Sequence, residues 1–518
     1  MKKIFLLWLS THCLCSVVFA QHIYTSATNI SLKNKLFNID SVSFNGYEFA
    51  KNSPFNINDL MPAKYSSINL GYVYAKGTLM AAQDASKFNS MFLKTEGITK
   101  LKELNLWGSF SYTKTFEDST IYNHQTRNTP TAPYYFGSPI NSSYERVVYN
   151  LKTLAEKNLI NKNLPIGVGA DYRIGNHFST NDPRGSVNDF QLNLVGTLGY
   201  TFFDQLKIGA AYRYGYGQER FNIAYKSTSY SQVTLLPAYY NYLIEGYGEA
   251  YIKTTAMGYK DDQKRSGIDG YLNFTKSMFG DFYFTYAYLN EKQRFLDTSS
   301  EGFTYFDDFD LKTNTFSLLW LKHLKNSKFS AVVSYANTEG KDLNYVYMAN
   351  NYIYNHNSLS LKTNLSVNKN NNIYNYFINT NQYEEQRKDG LTGNDVQYNR
   401  LDLHVGFGYN RIIKNNNILG FSITGIYNIP LNNYFNIPAV NIGQFTQRVI
   451  YFDYIYNTST RLGGSLTADY SFKVFNEIQA GLKASATYLN KEKAKDNNFT
   501  YSPGKDRFSS NISLNLYF

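Results

Sequence analysis

Cysteine is almost absent from this 518-residue sequence, and the only two residues, Cys13 and Cys15, lie close to the N-terminus. Without them a chain has no disulfide, no thiol nucleophile and no cysteine ligand for a metal. Tryptophan is also scarce, with three residues, whereas tyrosine and phenylalanine number 48 and 37. After the N-terminal segment no apolar run is long enough for a membrane-spanning helix, and the mean hydropathy is −0.41. These absences exclude a helical membrane protein.

The first twenty residues have the pattern of a secretory signal peptide. Lys2 and Lys3 precede an apolar stretch, and Val18 and Ala20 lie at the −3 and −1 positions of a cleavage site. We expect cleavage after Ala20, which leaves 498 of the 518 residues. A lipoprotein is the alternative, because both cysteines lie in this segment, but neither follows the small residues that a lipid-attachment site needs.

The formal net charge of +11 is spread along turns and loops rich in lysine and asparagine. The sequence has no basic helix and no basic block interleaved with aromatic residues, which are the patterns of nucleic-acid binding. We therefore interpret the positive charge as solvated surface and expect no nucleic-acid partner.

Alternation of apolar and polar residues with a period of two predicts the strands. From Leu206 to Tyr216 every even-numbered residue is apolar or aromatic, whereas the odd-numbered ones are Lys, Gly, Ala, Arg and Gly. The pattern recurs at 166–174, 191–202, 401–409 and 478–486. Small and mixed polar faces are typical of a curved wall around a lumen. On this register the lumen-facing candidates are Asp171, Arg173, Lys207, Arg213, Asp402, His404 and Lys483.

The spacing of the strands predicts the architecture. We count about 18 candidate strands of roughly 10 residues, the length of a tilted membrane strand. They start near residues 67, 89, 102, 144, 164, 189, 204, 267, 279, 307, 326, 356, 371, 398, 416, 459, 475 and 507. Short turns alternate with long loops at 117–143, 218–265, 338–355, 385–397, 429–458 and 491–506. The predicted fold is therefore all-β, a closed antiparallel transmembrane β-barrel of about 18 strands (range 14–18), with short periplasmic turns and long extracellular loops.

The two ends of the chain differ from the middle. We expect a signal peptide at 1–20, an N-terminal periplasmic segment or small hatch at 21–66, and the outer-membrane barrel at 67–518. The 21–66 segment is too short for the plug of a TonB-dependent transporter, whose barrels also have more strands. At the other end, a run of alternating apolar residues with a final aromatic resembles the signal read by the outer-membrane assembly machinery: Ile512, Leu514, Leu516 and Phe518.

Several segments resemble one family of outer-membrane barrels. They are Gly71-Tyr72-Val73-Tyr74-Ala75-Lys76-Gly77, Thr95-Glu96-Gly97, Leu106-Trp107-Gly108-Ser109-Phe110-Ser111-Tyr112, Gly167-Val168-Gly169-Ala170-Asp171-Tyr172, Asp182-Pro183-Arg184 and Met257-Gly258-Tyr259. The family is an uncharacterised, Bacteroidetes-type one, classed as a domain of unknown function and often encoded near TonB-dependent receptors. The resemblance runs from about Ser66 to the C-terminus and implies the barrel and its location, with no catalytic or ligand residues.

Catalytic and cofactor signals are weak. No two histidines have the spacing of a zinc or iron site, and we expect no metal, no cofactor and no catalytic residues. Asp402 and His404 share one strand face, but residues two apart lie about 7 Å from each other along a strand. In the long loop at 218–265, aromatic residues next to glycines could bind a ligand or constrict the pore: Tyr239, Tyr240, Tyr242, Tyr247 and Tyr251.

The leading hypothesis is a non-enzymatic channel or uptake component in the outer membrane of a Gram-negative bacterium, because a lumen of this size is too wide for side chains alone to fill. The alternatives are a surface-exposed binding or assembly barrel without transport, and an outer-membrane hydrolase built on Asp402 and His404. The expected partners are outer-membrane lipid, the barrel assembly machinery, and a TonB-dependent receptor or a surface lipoprotein.

Overall fold

The computed structural model describes residues 30–126, 128, 131–160, 163–203, 205–231, 237–254, 257–298, 304–475, 478–493 and 499–518. The predicted signal peptide at 1–20, the start of the predicted segment 21–66, and parts of the predicted loops at 117–143, 218–265 and 491–506 lie outside these residues. Among the described residues, no helix is both long and apolar enough to cross a bilayer.

Strands make up most of the chain. Their bounds are β1 Lys64–Gly77, β2 Lys87–Leu101, β3 Leu104–Thr120, β4 Tyr134–Gly137, β5 Ser142–Leu159, β6 Leu164–Ser179, β7 Arg184–Phe202, β8 Leu206–Ala224, β9 Tyr242–Glu245, β10 Tyr251–Ile252, β11 Gly258–Ser277, β12 Gly280–Asp297, β13 Thr304–His323, β14 Ser327–Asn344, β15 Tyr352–Lys369, β16 Asn372–Asp389, β17 Asp395–Ile412, β18 Ile418–Pro430, β19 Tyr434–Asn436, β20 Thr460–Phe475, β21 Ile478–Lys493 and β22 Asp506–Tyr517.

Eighteen of these strands form one closed antiparallel barrel, which confirms the predicted fold class. Each pairs with the next barrel strand along the chain, and β22 returns to pair with β1, as in Leu514 opposite Leu70. Closure leaves no unpaired sheet edge, which is what a strand protein needs in lipid. The remaining strands belong to loops: β4, β9 and β10 form a small separate sheet, and β19 adds to the end of β17.

The outer face of the barrel is the apolar one. In β8 the even-numbered side chains point outward, and Ile208, Tyr212 and Tyr214 are 44%, 59% and 48% exposed. Their odd-numbered neighbours Lys207 and Ala211 are buried against the lumen contents. An exposed apolar band around a barrel is stable only against lipid, so the architecture is that of an outer-membrane β-barrel.

The predicted strand starts agree with the structure to within five residues except at β11, which begins at Gly258 rather than near 267. The strands themselves were predicted too short. They have 12 to 20 residues, so the loops shrink to 225–257, 345–351 and 390–394 where 218–265, 338–355 and 385–397 were predicted. The extra strand residues carry polar or acidic side chains on both faces, for example Asp261 inward and Asp262 outward. Their backbone pairing therefore continues beyond the apolar band without an apolar signal.

The earliest described residues, 30–61, lie inside the barrel. Three helices, α1 Ile30–Phe37, α2 Ser41–Ala50 and α3 Ile57–Leu60, with a helical turn Pro54–Asn56, pack against lumen-facing side chains at the end of the short turns. We call residues 30–61 the plug. Its apolar residues, such as Phe37 and Tyr47, meet wall residues from strands around the barrel, including Trp107 of β3 and Ile373 of β16.

The opposite end of the lumen is filled by long loops. The described residues of 121–141, 237–254 and 431–459, which we call the cap, include the β4–β9–β10 sheet, a π-helical turn Thr446–Ile450 and the helix α4 Tyr451–Asn457. Their side chains form an apolar cluster with inward residues of the wall, such as Phe221 of β8 and Phe309 of β13. Plug and cap thus occupy the two ends of one lumen.

Candidate functional site

Ion pairs join the plug to the wall. Lys35 Nζ in α1 lies 2.7 Å from Asp469 Oδ1 in β20, and Lys51 Nζ, just after α2, lies 2.8 Å from Glu96 Oε2 in β2. Both lysines are buried. A buried charge that loses its partner is strongly destabilised, so these pairs fix the position of the plug relative to the wall.

A third contact of this kind involves Asp40, which precedes α2 and is fully buried. Burial raises the pKa of the Asp40 carboxyl, and the charge of Lys328 and the hydrogen bond from Ser43 offset this only in part. Lys328 of β14 forms an ion pair with the same carboxyl. The plug is therefore tied to β14 as well as to β2 and β20.

Lys207 of β8 binds the last turn of the plug. Its Nζ donates to the carbonyl oxygen of Phe55 at 2.6 Å, to Glu156 Oε1 at 2.8 Å and to Asp59 Oδ2 at 3.2 Å. Glu156 Oε2 in turn accepts from the backbone N–H of Asn58 at 2.7 Å. One lysine and one glutamate of the wall thus bind a turn of the plug through three hydrogen bonds and are joined to each other by a fourth.

Neutral hydrogen bonds complete the plug–wall contact. Asn45 Nδ2 donates to Ser330 Oγ at 2.8 Å, and the Ser53 hydroxyl donates to the Tyr271 hydroxyl at 2.8 Å. Trp107 Nε1 donates to the Tyr47 hydroxyl at 2.8 Å. The contact therefore mixes apolar packing with many polar bonds, unlike a continuous apolar core.

The inner wall has two different halves. From β3 to β13 the inward side chains pair as ions: Arg146 Nε lies 2.8 Å from Glu117, Arg213 Nη2 lies 2.6 Å from Asp269, and Arg265 pairs with Glu291. Each pair bridges two strands, since its members lie on different strands of the barrel. This half is crowded with long, paired side chains, and we call it the ion-paired half.

The other half, from β15 to β22, carries mainly small neutral side chains at the level of the plug, and we call it the neutral half. Its inward ion pairs Arg387–Glu385 and Arg400–Asp402 lie against the cap. One lateral row of neighbours in register crosses seven strands and contains only small or amide side chains: Ser366, Asn375, Gly408, Ser422, Thr467, Ser485 and Asn511. We call it the neutral row. Because its side chains are short, the plug leaves a cavity of about 400 Å³ beside it. A second cavity, of about 740 Å³, lies between α2, α3 and the periplasmic rim near His323 and Asn370.

The structure places the seven predicted lumen residues as follows. All face inward, since their strand neighbours face lipid: Asp171, Arg173, Lys207, Arg213, Asp402, His404 and Lys483. They are not brought together. Asp171, Arg173, Lys207 and Arg213 belong to the ion-paired half, whereas His404 and Lys483 line the cavity of about 400 Å³.

Both carboxylate oxygens of Asp402 are hydrogen-bonded to neighbouring side chains. Its Oδ1 accepts from Asn428 Nδ2 at 2.5 Å, and its Oδ2 accepts from Arg400 Nε at 3.3 Å. Arg173 pairs with Asp189. Among the described residues, no cluster of three or more His, Cys, Asp or Glu side chains is arranged to hold a metal ion.

The predicted loop tyrosines divide between cap and surface. Tyr247 is buried, and its hydroxyl lies 2.8 Å from that of Tyr398 on the wall, while Tyr242 packs edge-on against Tyr122. By contrast Tyr239 stacks on Tyr230 at the rim, Tyr240 is half-buried and Tyr251 is exposed. Tyr242 and Tyr247 thus narrow the lumen as parts of the cap.

Two acidic side chains hold the cap in place. Glu249 accepts hydrogen bonds from the backbone N–H groups of Gly443, Phe445 and Thr446 at 2.9, 2.8 and 3.1 Å. Asp453 of α4 accepts from the backbone N–H of Ala82 at 2.7 Å. Burial raises the pKa of Asp453 to about 7, although that hydrogen bond and the charge of Arg387 lower it.

Sequence reasoning missed the plug residues and these two carboxylates. Asp40 and Lys51 lie in a segment without strand alternation, and their partners are distant in the chain, as Lys328 is from Asp40. Glu249 lies in the loop at 218–265, in which only tyrosines are predicted as binding or constriction residues. For the inward face of β22 a signal was present, because polar residues recur at every second position from Asn511 to Asn515, but only Asn511 of these belongs to the neutral row.

The apolar outer face, the closed hydrogen-bonded wall and a lumen occupied at both ends define the class of protein: an outer-membrane β-barrel with an internal plug and cap. The chain belongs to a family of unknown function (DUF6850), whose model matches residues 54–518. The match confirms the resemblance to an uncharacterised barrel family. The bacterial group and the neighbouring genes stay predictions.

Solved structures with a similar architecture include three outer-membrane receptors and transporters. The ferric preacinetobactin receptor BauA of Acinetobacter baumannii is 10% identical, with 88% of this chain and 80% of that chain covered and a TM-score of 0.38. The transporter YddB of Escherichia coli is 8% identical, with 87% and 81% covered and a TM-score of 0.38. The ferric-catecholate import receptor Fiu of E. coli K12 is 9% identical, with 88% and 81% covered and a TM-score of 0.39. Among curated proteins none matches the sequence.

Proposed function

We propose that this protein is a gated, non-enzymatic passage for a polar solute across the outer membrane, opened when the plug shifts within the lumen. The observation that carries the proposal is the plug–wall contact: the plug is held by separate ion pairs and hydrogen bonds, and two cavities lie beside it. If the plug only had to fill the lumen permanently, apolar packing would hold it at a lower cost in desolvation free energy, because buried ion pairs contribute little net stability.

The ion-paired half and the neutral half have different parts in this passage. Cross-strand pairs such as Arg213–Asp269 brace the wall and leave little room. The neutral half offers space and hydrogen-bonding groups at the level of the plug, and it is the side along which a solute can travel. A link to a TonB-dependent receptor, or to any other source of energy for moving the plug, is a further part of the proposal.

A disulfide between plug and wall tests the gate. The predicted mature chain has no cysteine, so Asn45→Cys with Ser330→Cys introduces one reactive pair, at side chains now 2.8 Å apart. The control pair is Thr313→Cys with Thr338→Cys, whose hydroxyls lie 3.1 Å apart and which joins β13 to the same strand β14 without touching the plug.

Single-channel recordings in planar bilayers give the readout. We expect the wild-type protein to open briefly, and more often as urea is raised within the range in which the barrel stays folded. The oxidised plug–wall disulfide should suppress these openings until a reductant is added, whereas the control disulfide should not. Openings that survive plug–wall oxidation, or no openings at any such urea concentration, would overturn the proposal.

The alternative is a surface-exposed binding barrel without transport. The apolar cap cluster favours it, because Tyr122, Phe136 and Phe445 close the extracellular end with well-packed rings, Tyr122 and Phe445 lying edge to face at 5.2 Å. If this alternative holds, the protein should give no channel openings in planar bilayers, and a stoichiometric partner should co-purify with it in mild detergent. A hydrolase on Asp402 and His404 predicts lost activity on replacing either residue.

A further inference from the structure

The cavity of about 400 Å³ beside the neutral row has an unusual lining. Half of its residues are asparagine, serine or threonine, including Asn379 of β16, Thr467 of β20 and Asn511 of β22. Amide and hydroxyl groups both donate and accept hydrogen bonds, and they carry no net charge. Such a lining matches a solute that presents hydroxyl groups on several sides.

Some of these groups are buried without a protein partner. The Oγ1 of Thr467, which is 6% exposed, and the Oδ1 atoms of Asn69, Asn379 and Asn511 have no hydrogen-bond partner among the described residues. All four side chains line the cavity. Buried polar atoms are nearly always hydrogen-bonded in native proteins, so four of them around one cavity mark a place where a polar molecule binds.

Charges in the lining largely cancel. The cavity is lined by four lysines and three carboxylates, Lys35, Lys94, Lys362, Lys483, Glu48, Glu96 and Asp469. Lys35 pairs with Asp469, and Lys94 Nζ lies 3.5 Å from Glu96. An ion that entered would lose its hydration without a matching excess of opposite charge. The lining therefore favours a neutral solute over an anion or a cation.

Among the aromatic residues that line the cavity, one on the inner wall presents a flat face beside the hydrogen-bonding groups. Phe377 of β16 points inward and lines the cavity, and its ring lies across Gly406 of β17, where a Cβ atom would come within 2.0 Å of the ring. The glycine thus lets the ring lie against the wall. A ring held in this way offers an apolar platform beside the hydrogen-bonding groups of Asn379, its neighbour two residues along the strand.

We propose that this cavity is a binding site for a neutral, hydroxyl-rich solute of oligosaccharide type, with Phe377 as the stacking platform and Asn379, Thr467 and Asn511 as hydrogen-bonding partners. The inference rests on the proposed function, since it names the class of solute that the passage takes.

Binding is measured on the full, plugged chain in detergent by isothermal titration calorimetry. The neutral probes are maltotriose, raffinose and chitobiose, with citrate as the anion and spermidine as the cation. We expect at least one neutral probe to bind and both ions to bind more weakly by tenfold or more. If no neutral probe binds at millimolar concentration, or if an ion binds best, the inference is wrong.

Matched variants locate the site. Thr467→Val keeps the shape and removes the hydroxyl, and we expect roughly fivefold weaker binding from one lost hydrogen bond. Thr313→Val makes the same change at a lumen-facing residue outside the cavity lining and should leave affinity unchanged. Phe377→Ala should weaken binding about tenfold, and Gly406→Ala, which pushes the ring off the wall, should do likewise. Equal affinity in Thr467→Val and the wild type, together with equal affinity in Phe377→Ala, would place the binding elsewhere and overturn the inference.

The binding assay does not require the plug to move. Binding without channel openings would contradict the proposed passage and support the binding site. Openings without binding of any neutral probe would contradict the binding site and support the passage.

Discussion

The ring of Phe55 lies against the wall at Gly209, so close that a Cβ atom at residue 209 would come within 2.3 Å of it. Gly199 on the neighbouring strand β7 receives the same ring, at 2.4 Å. Glycines on the inward face thus leave the space that plug side chains occupy. In the sequence they interrupt the row of polar residues on that face. A side chain at either position forces the ring away.

Gly209→Ala should therefore loosen the plug while the barrel remains intact. We expect a cost of about 1–3 kcal/mol in plug docking, the usual penalty for an overfilled site. Hydrogen exchange of the backbone amides at 55–60 should become faster by tenfold or more. Gly196→Ala in β7 is the control, because the structure has nothing within 4 Å of a Cβ atom there. Equal exchange in both variants would show that Phe55 does not depend on the glycine.

Lys207→Met should destabilise the protein more than any exposed charge change. It leaves Glu156, which is 1% exposed, without its cation, and breaking a buried pair costs about 3–5 kcal/mol. Adding Glu156→Gln should recover part of the loss, since the uncompensated charge is then gone. The measurement is urea unfolding followed by tryptophan fluorescence in lipid vesicles.

The control for Lys207 is Arg294→Met, which breaks the pair between Arg294 and Asp308 at the exposed rim, where Arg294 is 51% exposed. Exposed pairs contribute about 0–1 kcal/mol, so this variant should unfold close to the wild-type midpoint. A double variant at 207 and 156 that is no more stable than Lys207→Met would contradict the ion-pair explanation.

Glu249→Gln should open the cap. A carboxylate accepts from three backbone N–H groups here, whereas the amide has one accepting oxygen and presents its own N–H₂ to the remaining donors. We expect a loss of about 1–3 kcal/mol, seen as faster hydrogen exchange at 443–457. Glu103→Gln removes the same charge from an exposed periplasmic turn and should leave the cap unchanged.

The docking of α4 should weaken as pH rises through 7. The pKa of Asp453 is raised to about 7 by burial, so its stabilising contribution is complete below about pH 4 and is lost as the carboxyl ionises near neutrality. Hydrogen exchange at 451–457, corrected for the intrinsic effect of pH, should show more opening at pH 8 than at pH 5.

Asp453→Asn should abolish this dependence. Its amide oxygen still accepts from the Ala82 N–H, and it cannot ionise. A wild-type protein and an Asp453→Asn variant with the same pH profile would show that another group controls the docking of α4.

The barrel could be predicted because lipid imposes a rule on every strand that crosses it. Leu206 to Tyr216 obeys that rule residue by residue, and the structure pairs this segment as expected. Beyond the lipid this alternation is no longer required. Asp261 and Asp262 are both acidic, yet they continue β11, since backbone pairing needs no apolar side chain. The alternation in the sequence therefore predicts the barrel strands but underestimates their length.

The plug and cap could not be predicted in the same way. Lys35 and Asp469 are 434 residues apart, and no local pattern links them. Helix α2 contains Gly46 and several polar residues, and it is stabilised by burial in the lumen rather than by helix propensity. The inward charges were predictable one at a time, whereas their pairing, such as Arg213 with Asp269, depends on strand register.

The contacts of α1 have a consequence for the order of assembly. Asn34 donates to the carbonyl oxygen of Phe518, and Lys35 pairs with Asp469, so the earliest described helix is held by residues near the C-terminus. These two contacts can form only once β20 and the end of β22 are in place. The docking of α1 is therefore completed late in assembly, together with the pairing of β22 and β1 that closes the barrel.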